Sequence, residues 1–189
     1  MLEGSTEIVY YRNSKNEGFG RASNIGYALS TAPNVLFLNN DVRVKNNKET
    51  WVEELIKWCP YGLVGPTMGQ LDKDFNFVKE ANQYLTGNSY MSGWCLASSK
   101  EIWNKLEILR AEPENADELP VPHIPQIFDE RYFCYFEDTD IGMRCRQMNI
   151  EMKVIEVPVV HFGKQSSQQL NVHKLYTESK KIFINKWKR

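Results

Sequence analysis

The chain has 189 residues, a formal net charge of −1 and 42% hydrophobic residues, a composition typical of a globular protein. A chain of this length fits one domain and buries about 70% of the surface that its unfolded form exposes. The near-zero net charge argues against general nucleic-acid binding, which requires a basic face. The four cysteines show no C-x-x-C spacing, so we expect reduced thiols in a cytoplasmic protein rather than a disulfide framework.

The first third of the chain alternates predicted strands and helices. Glu7–Tyr11 is β-branched and aromatic and predicts a strand. Asn13–Gly20 predicts a loop, and Arg21–Thr31 predicts a helix that ends before Pro33. Val35–Leu38 is a short apolar run, which favours a buried parallel strand.

The middle of the chain continues this alternation. Lys48–Trp58 predicts a helix with its large apolar residues on one face, and Leu63–Pro66 predicts another short strand. Residues 72–92 mix polar and aromatic positions and predict hairpin-like strands over the site. Ser98–Leu106 predicts a helix capped by one of its first two serines.

The last part of the chain begins with an acidic, proline-rich segment, 110–126, which predicts a mobile loop or lid. Thr139–Met148 predicts a helix, and Met152–Val160 predicts a strand interrupted by Pro158. Residues 172–189 predict a basic amphipathic C-terminal helix. The alternation of strands and helices therefore favours one α/β domain with a mixed sheet flanked by helices.

Three carboxylates lie within four positions, at Glu137, Asp138 and Asp140. Like charges raise one another's pKa and resist burial, so this cluster suggests acid–base or metal chemistry. Asp140 and Arg144 have i,i+4 spacing and are expected to pair on the helix surface, which leaves Glu137 and Asp138 at the helix start. The alternative is an acidic N-terminal cap beside a surface ion pair.

A second acidic position, Asp41, ends the apolar run after Asn39 and Asn40. Open α/β sheets bind ligands at the carboxyl ends of their strands, and Mg²⁺ and Mn²⁺ prefer oxygen ligands. His161 follows another predicted strand, and its neutral imidazole can complete a metal site with Asp41. A capping aspartate and a buried, satisfied histidine are the alternatives.

Two glycine-containing segments are candidate ligand contacts. The glycines of 16–26 let the backbone approach a ligand, and the amides at the following helix start can face a phosphate. Gly93 allows close approach of a sugar ring, and Trp94 can stack on it. A well-packed turn and a core tryptophan are the alternatives.

The order of the motifs is more specific than any one of them. From the N-terminus they are Asn16-x-Gly18-Phe19-Gly20-x-Ala22-x-Asn24-x-Gly26, Phe37-Leu38-Asn39-Asn40-Asp41, Gly93-Trp94-Cys95, Phe136-Glu137-Asp138-x-Asp140-x-x-x-Arg144 and His161. This series resembles glycosyltransferase family 2, especially the bacterial members that build rhamnose-containing or other surface polysaccharides. The resemblance runs from about Glu7 to about Ser167.

The resemblance implies a GT-A fold and an inverting transferase that uses a nucleotide-diphosphate sugar donor, Mn²⁺ or Mg²⁺, and a glycan or lipid-linked acceptor. It places the catalytic base on the Glu137-Asp138 pair, with Asp138 favoured, and the metal on Asp41 and His161. The family's D-x-D element falls on Asn39-Asn40-Asp41, so only Asp41 keeps its carboxylate. The other implied contacts are Asn16, Arg21, Asn24, Asn39 and Asn40 for the nucleotide or donor, and Gly93, Trp94 and Cys95 for the sugar or acceptor.

One departure concerns the nucleotide-binding strands that open the related enzymes, which are missing here. We therefore expect an N-terminally truncated domain with an exposed sheet edge that pairs with a second copy or a partner. A catalytically incomplete remnant that acts as a self-associating or partner-binding module is the alternative. A metal-dependent nucleotidyltransferase is a further alternative, but the basic glycine-rich phosphate loop of such enzymes is not found.

The C-terminal helix leaves two possibilities open. It can pack on the domain, or it can lie on an anionic membrane through its lysines with Phe183 and Trp187 inserted. The second possibility gives weak peripheral contact with the inner face of the membrane. No apolar run reaches the ~20 residues that a membrane span needs.

Overall fold

The computed structural model describes residues 7–45, 50–109, 123–163 and 171–188, which form a mixed α/β fold. The elements in chain order are α1 (Phe19–Leu29), β1 (Asn34–Leu38), β2 (Val42–Val44), α2 (Trp51–Trp58), β3 (Gly62–Gly65), β4 (Met68–Leu71), β5 (Phe77–Ala81), β6 (Ser89–Met91), β7 (Cys95–Ser99), α3 (Lys100–Lys105), α4 (Glu137–Gln147), β8 (Glu151–Val154), β9 (Val159–His161) and α5 (Val172–Trp187).

A four-stranded mixed sheet with the order β1-β7-β3-β8 forms the centre of the described structure. β3 and β8 run parallel, and the other two pairings are antiparallel. Successive side chains of a strand point to opposite faces, so Leu63 of β3 packs into one hydrophobic cluster and Val64 into the other. The predicted mixed sheet flanked by helices is thus confirmed, with a hydrophobic core on each face.

Two smaller sheets complete the β structure. β4 pairs with β5 and with β6 in an antiparallel three-stranded sheet. The range 72–92 thus contains two strands, as predicted, but both pair with β4, which precedes this range, and not with each other. β2 pairs with β9, with Val42 opposite His161. This pairing brings the segment after β1 beside the strand that carries His161.

Two strand predictions are wrong. Glu7–Tyr11 forms no strand and is largely exposed, because no described strand pairs with it and propensity alone does not make a ladder. β1 was expected to be a buried parallel strand, but it is antiparallel to β7 and lies at the sheet edge. A concavity of about 400 Å³ lies between α1 and this free edge.

The helix predictions hold, with shifted ends. α3 begins after Ser99, whose hydroxyl accepts a hydrogen bond from the Ile102 amide, as expected for a cap. α4 begins at Glu137, two residues before the predicted start at Thr139. Residues 110–122 of the predicted loop 110–126 lie outside the described residues, and 123–126 form no helix or strand.

The ion pair of α4 is buried rather than on the surface. Arg144 Nε lies 3.0 Å from Asp140 Oδ2, and both side chains are almost fully buried. The guanidinium also donates to the carbonyl oxygens of Leu106 and Ile127. The buried guanidinium thus has a carboxylate and two backbone carbonyls as partners, as a buried charge requires.

α5 packs on the domain through its apolar and its basic side chains. Phe183 is fully buried, and its ring contacts the rings of Phe75 and Phe136. Trp187 Nε1 donates to Asp140 Oδ1 at 2.8 Å, and Lys186 Nζ lies 2.7 Å from the same atom. Membrane insertion of Phe183 is therefore wrong for this conformation, because the side chain belongs to the core.

Within the described ranges, no helix is long and apolar enough to span a membrane.

We expect Phe183→Ala to lower the free energy of unfolding by about 3–5 kcal/mol, the usual cost of truncating a buried aromatic side chain. Phe77→Ala is the control, since Phe77 is 54% exposed and its truncation costs much less. Urea unfolding followed by circular dichroism measures both. Equal losses in the two variants would contradict the packing of α5.

Candidate functional site

The turn Gly93-Trp94, between β6 and β7, connects the predicted catalytic and metal-binding residues. The Gly93 amide donates a hydrogen bond to Asp138 Oδ2 at 2.9 Å. The Trp94 carbonyl accepts one from the Asn39 amide at 2.9 Å, at the end of β1. The indole of Trp94 stacks on the ring of His161, with 4.9 Å between centroids and 14° between planes. One short turn thus contacts three of the predicted motifs.

Asp41 and His161 lie together, as predicted. Asp41 Oδ1 and His161 Nε2 are 3.1 Å apart, yet neither buried atom has a hydrogen-bond partner. The short distance therefore reflects proximity without hydrogen-bond geometry. A buried carboxylate oxygen and a buried imidazole nitrogen that face each other without a partner fit a divalent cation, which accepts both ligand types.

A backbone hydrogen bond and a ring contact hold Asp41 and His161 in place. The Phe162 amide donates to the Asp41 carbonyl at 2.9 Å, beside the pairing of β2 with β9. The ring of Trp94 supports one face of the imidazole. Among the described residues, no group of three or more His, Cys, Asp and Glu side chains forms a metal cluster. If a cation binds Asp41 and His161, its further ligands within the described residues would thus be groups other than His, Cys, Asp and Glu side chains.

Asp138 is a half-buried carboxylate at the start of α4. Burial raises its pKa, whereas hydrogen bonds from the Gly93 and Thr139 amides oppose this rise by favouring the anion. A Cβ at position 93 would lie 3.1 Å from Asp138 Cβ, which is why glycine fits here. The surroundings of Asp138 thus combine burial, which raises its pKa, with amide donors that orient the carboxylate.

Glu137, the neighbouring candidate, lies in a different environment. It is 6% exposed, and burial together with the charge of Asp138 raises its pKa to about 8. A carboxyl group with this pKa is mostly protonated at pH 7, so it is a poor general base there. The two candidates are therefore separated by their hydrogen bonding, because the Gly93 amide donates to Asp138.

The chain reaches these two carboxyls through a strained turn. Tyr135 and Phe136 have φ angles of 72° and 70°, a left-handed conformation that costs aromatic residues about 1–3 kcal/mol each. Their rings pack on Tyr176 of α5, with centroid distances of 5.8 Å and 5.2 Å. The packing of α5 thus holds the turn that orients Glu137 and Asp138.

Two residues of the site were missed by sequence analysis. Thr67 Oγ1 accepts a hydrogen bond from Trp94 Nε1 at 3.0 Å and donates one to Glu80 Oε1 at 2.9 Å. Glu80 Oε1 also accepts from Trp94 Nε1, at 3.1 Å. An exposed glutamate in a short strand gives no sequence signal, because the contact depends on how β4 and β5 pair.

The predicted donor residues near α1 are used for internal contacts. Arg21 pairs with Glu130 at 3.3 Å, and Asn24 bonds the backbone of Phe128 through both its amide atoms. Asn16 Oδ1 accepts from the Gly18 amide at 3.0 Å, which stabilises the loop. These contacts match the alternative of a well-packed glycine turn.

The remaining predicted residues differ in accessibility. Asn40 is exposed and Asn39 is half-buried, both beside Asp41. Cys95 is fully buried in β7, and burial raises the pKa of its thiol to about 12. Its side chain thus belongs to the core and does not reach an acceptor. Trp94 is buried, with its ring against His161, so it supports the histidine rather than presenting that face to a sugar.

No protein-family model, no curated protein and no solved structure matches this chain.

We expect Glu137→Gln to change the pH dependence of stability. The pKa of Glu137 is raised from 4.5 to about 8 in the folded chain, so the folded state keeps a proton that the unfolded state releases between these values. The contribution of Glu137 to stability is then lost as pH rises through this window. Glutamine is always neutral, so the variant gains free energy of unfolding relative to the wild type as pH rises.

Urea unfolding of both proteins at the two ends of this pH window measures the difference. A difference between the proteins that does not change with pH would contradict the raised pKa.

Proposed function

We propose that the chain is the catalytic part of an inverting, metal-dependent glycosyltransferase. It transfers a sugar from a nucleotide-diphosphate donor to a hydroxyl group of a glycan or lipid-linked acceptor. The observation that carries the proposal is the Gly93-Trp94 turn, which joins a base candidate, Asp138, to the unpartnered pair Asp41 and His161.

The first part of the chemistry is proton transfer. Asp138 accepts hydrogen bonds from two backbone amides, which fix its orientation and leave lone pairs for an acceptor hydroxyl. As the hydroxyl oxygen attacks the anomeric carbon, its proton moves to the Asp138 carboxylate. The new carbon–oxygen bond forms on the face opposite the leaving group, so the anomeric configuration inverts.

The second part concerns the leaving group. The bond between the anomeric carbon and the phosphate oxygen breaks, and the electron pair leaves with the nucleoside diphosphate. Asp41 and His161 would hold Mn²⁺ or Mg²⁺ at this side of the site. When bound, the cation supplies positive charge that neutralises the diphosphate.

The resemblance to glycosyltransferase family 2 supports the same assignment. Its motifs fall on Asp41, Gly93, Asp138 and His161, which are distant in sequence and are linked by contacts in the structure. A GT-A arrangement and an absent N-terminal portion stay predictions, as does a cytoplasmic location at the inner face of the membrane. A homodimer through an exposed sheet edge also stays a prediction.

We expect Asp138→Asn to reduce sugar transfer by about 10²–10⁴-fold, the usual contribution of a general base. The assay follows release of UDP or dTDP from UDP-glucose, UDP-galactose and dTDP-rhamnose with Mn²⁺ and a methyl glycoside acceptor. Asp74→Asn is the control, since Asp74 is an exposed turn residue. An Asp138→Asn protein as active as the wild type would refute the role of Asp138.

A further inference from the structure

We propose that Glu80 is a positioning residue that holds Trp94, and through its ring His161, in the geometry of the metal-binding pair. The proposal rests on the proposed function in taking Asp41 and His161 as that pair. Glu80 contacts neither of them and acts through the indole.

A closed set of hydrogen bonds surrounds the Trp94 indole. Its single N–H points between Thr67 Oγ1, at 3.0 Å, and Glu80 Oε1, at 3.1 Å. The Thr67 hydroxyl donates in turn to the same Glu80 oxygen at 2.9 Å. A buried indole N–H needs one acceptor, and here a charged acceptor is added to a neutral one. Glu80 bonds both the indole N–H and the hydroxyl that shares it, so its carboxylate limits rotation of the ring.

The indole ring of Trp94 contacts the imidazole ring of His161. The two rings are nearly parallel, with 14° between their planes. Because His161 Nε2 has no hydrogen-bond partner and faces Asp41 Oδ1, no bond at this nitrogen orients the imidazole. The stacked indole therefore helps to orient the imidazole of His161. Residues that orient metal ligands typically change metal affinity about 10–100-fold.

The position of Glu80 in the fold supports the same role. It lies on β5, opposite Gly69 of β4, in a different sheet from β7 and β9. Glu80 thus connects the three-stranded sheet to the site. Burial and, among smaller causes, the charge of Glu80 raise the pKa of Asp138, so the same carboxylate is close enough to act on the base. A residue whose only role was in the pairing of β5 with β4 would not need a contact with Trp94.

The test uses the small number of histidines. The chain has only His123, His161 and His173, so a ¹H–¹³C spectrum of the imidazole rings contains three sets of signals. Stacking on Trp94 shifts the His161 signals upfield by the ring current of the indole. His161→Gln assigns them.

We expect Glu80→Ala to move the His161 signals towards those of the two other histidines. Glu80→Gln, which keeps an acceptor oxygen, is expected to retain most of the upfield shift. Lys79→Ala is the matched control on the same strand, since neighbouring residues point to opposite faces. If Glu80→Ala leaves the His161 signals at their wild-type positions, the positioning role is wrong.

A second reading uses Mn²⁺ alone as a paramagnetic probe. In the wild type, Mn²⁺ is expected to broaden the His161 signals selectively, and Glu80→Ala should require about tenfold more Mn²⁺ for half-broadening. An unchanged requirement would overturn the effect on the metal site. If Mn²⁺ never broadens the wild-type His161 signals but Glu80→Ala still shifts them, the metal role in the proposed function fails while the positioning of His161 stands.

Discussion

The hydrogen bond from the Gly93 amide to the Asp138 carboxylate is the contact on which the candidate site depends. It fixes the start of α4 against the turn before β7, and the next residue of that turn, Trp94, stacks on His161. Any side chain at position 93 would press on Asp138. The close approach of two elements therefore favours glycine at this point, and the position of Asp138 relative to Asp41 and His161 follows from this approach.

A second constraint acts on the backbone that leads into the same carboxylate. Phe136 holds a left-handed backbone conformation immediately before Glu137. Its ring packs on Tyr176 and Phe183, so burial of α5 offsets strain that the isolated turn would release. Lys186 and Trp187 then bond Asp140, two residues after Asp138 in α4. The C-terminal helix is in this way part of the support of Asp138, which its basic, amphipathic sequence did not reveal.

The mixed sheet flanked by helices and the proximity of Asp41 to His161 could be predicted from the sequence, for identifiable reasons. Asp41, His161 and Asp138 follow apolar or aromatic runs, and polar residues at the ends of elements stand out in such patterns. The strand prediction for Glu7–Tyr11 failed because propensity does not supply a partner strand. Glu80 was missed because its contact with Trp94 depends on the pairing of β4 with β5.

Burial was the other property that local pattern did not reveal. Asp140 and Arg144 have the spacing of a surface ion pair, yet both side chains are buried. The Arg144 guanidinium donates hydrogen bonds to the carbonyls of Leu106 and Ile127. Glu137 and Asp138 are adjacent in sequence, yet Asp138 accepts a hydrogen bond from the Gly93 amide of another element. The different surroundings of the two carboxyl groups are thus a property of the folded chain.

Calorimetric titration of UDP and dTDP into the purified chain, with and without Mn²⁺, tests the central claim most directly. The account predicts binding of at least one of them that requires Mn²⁺ and that weakens at least about tenfold in Asp41→Asn and in His161→Gln, but not in His173→Gln. Failure of both diphosphates to bind the folded chain would contradict it. Binding that is indifferent to Mn²⁺ and to both variants would contradict it equally.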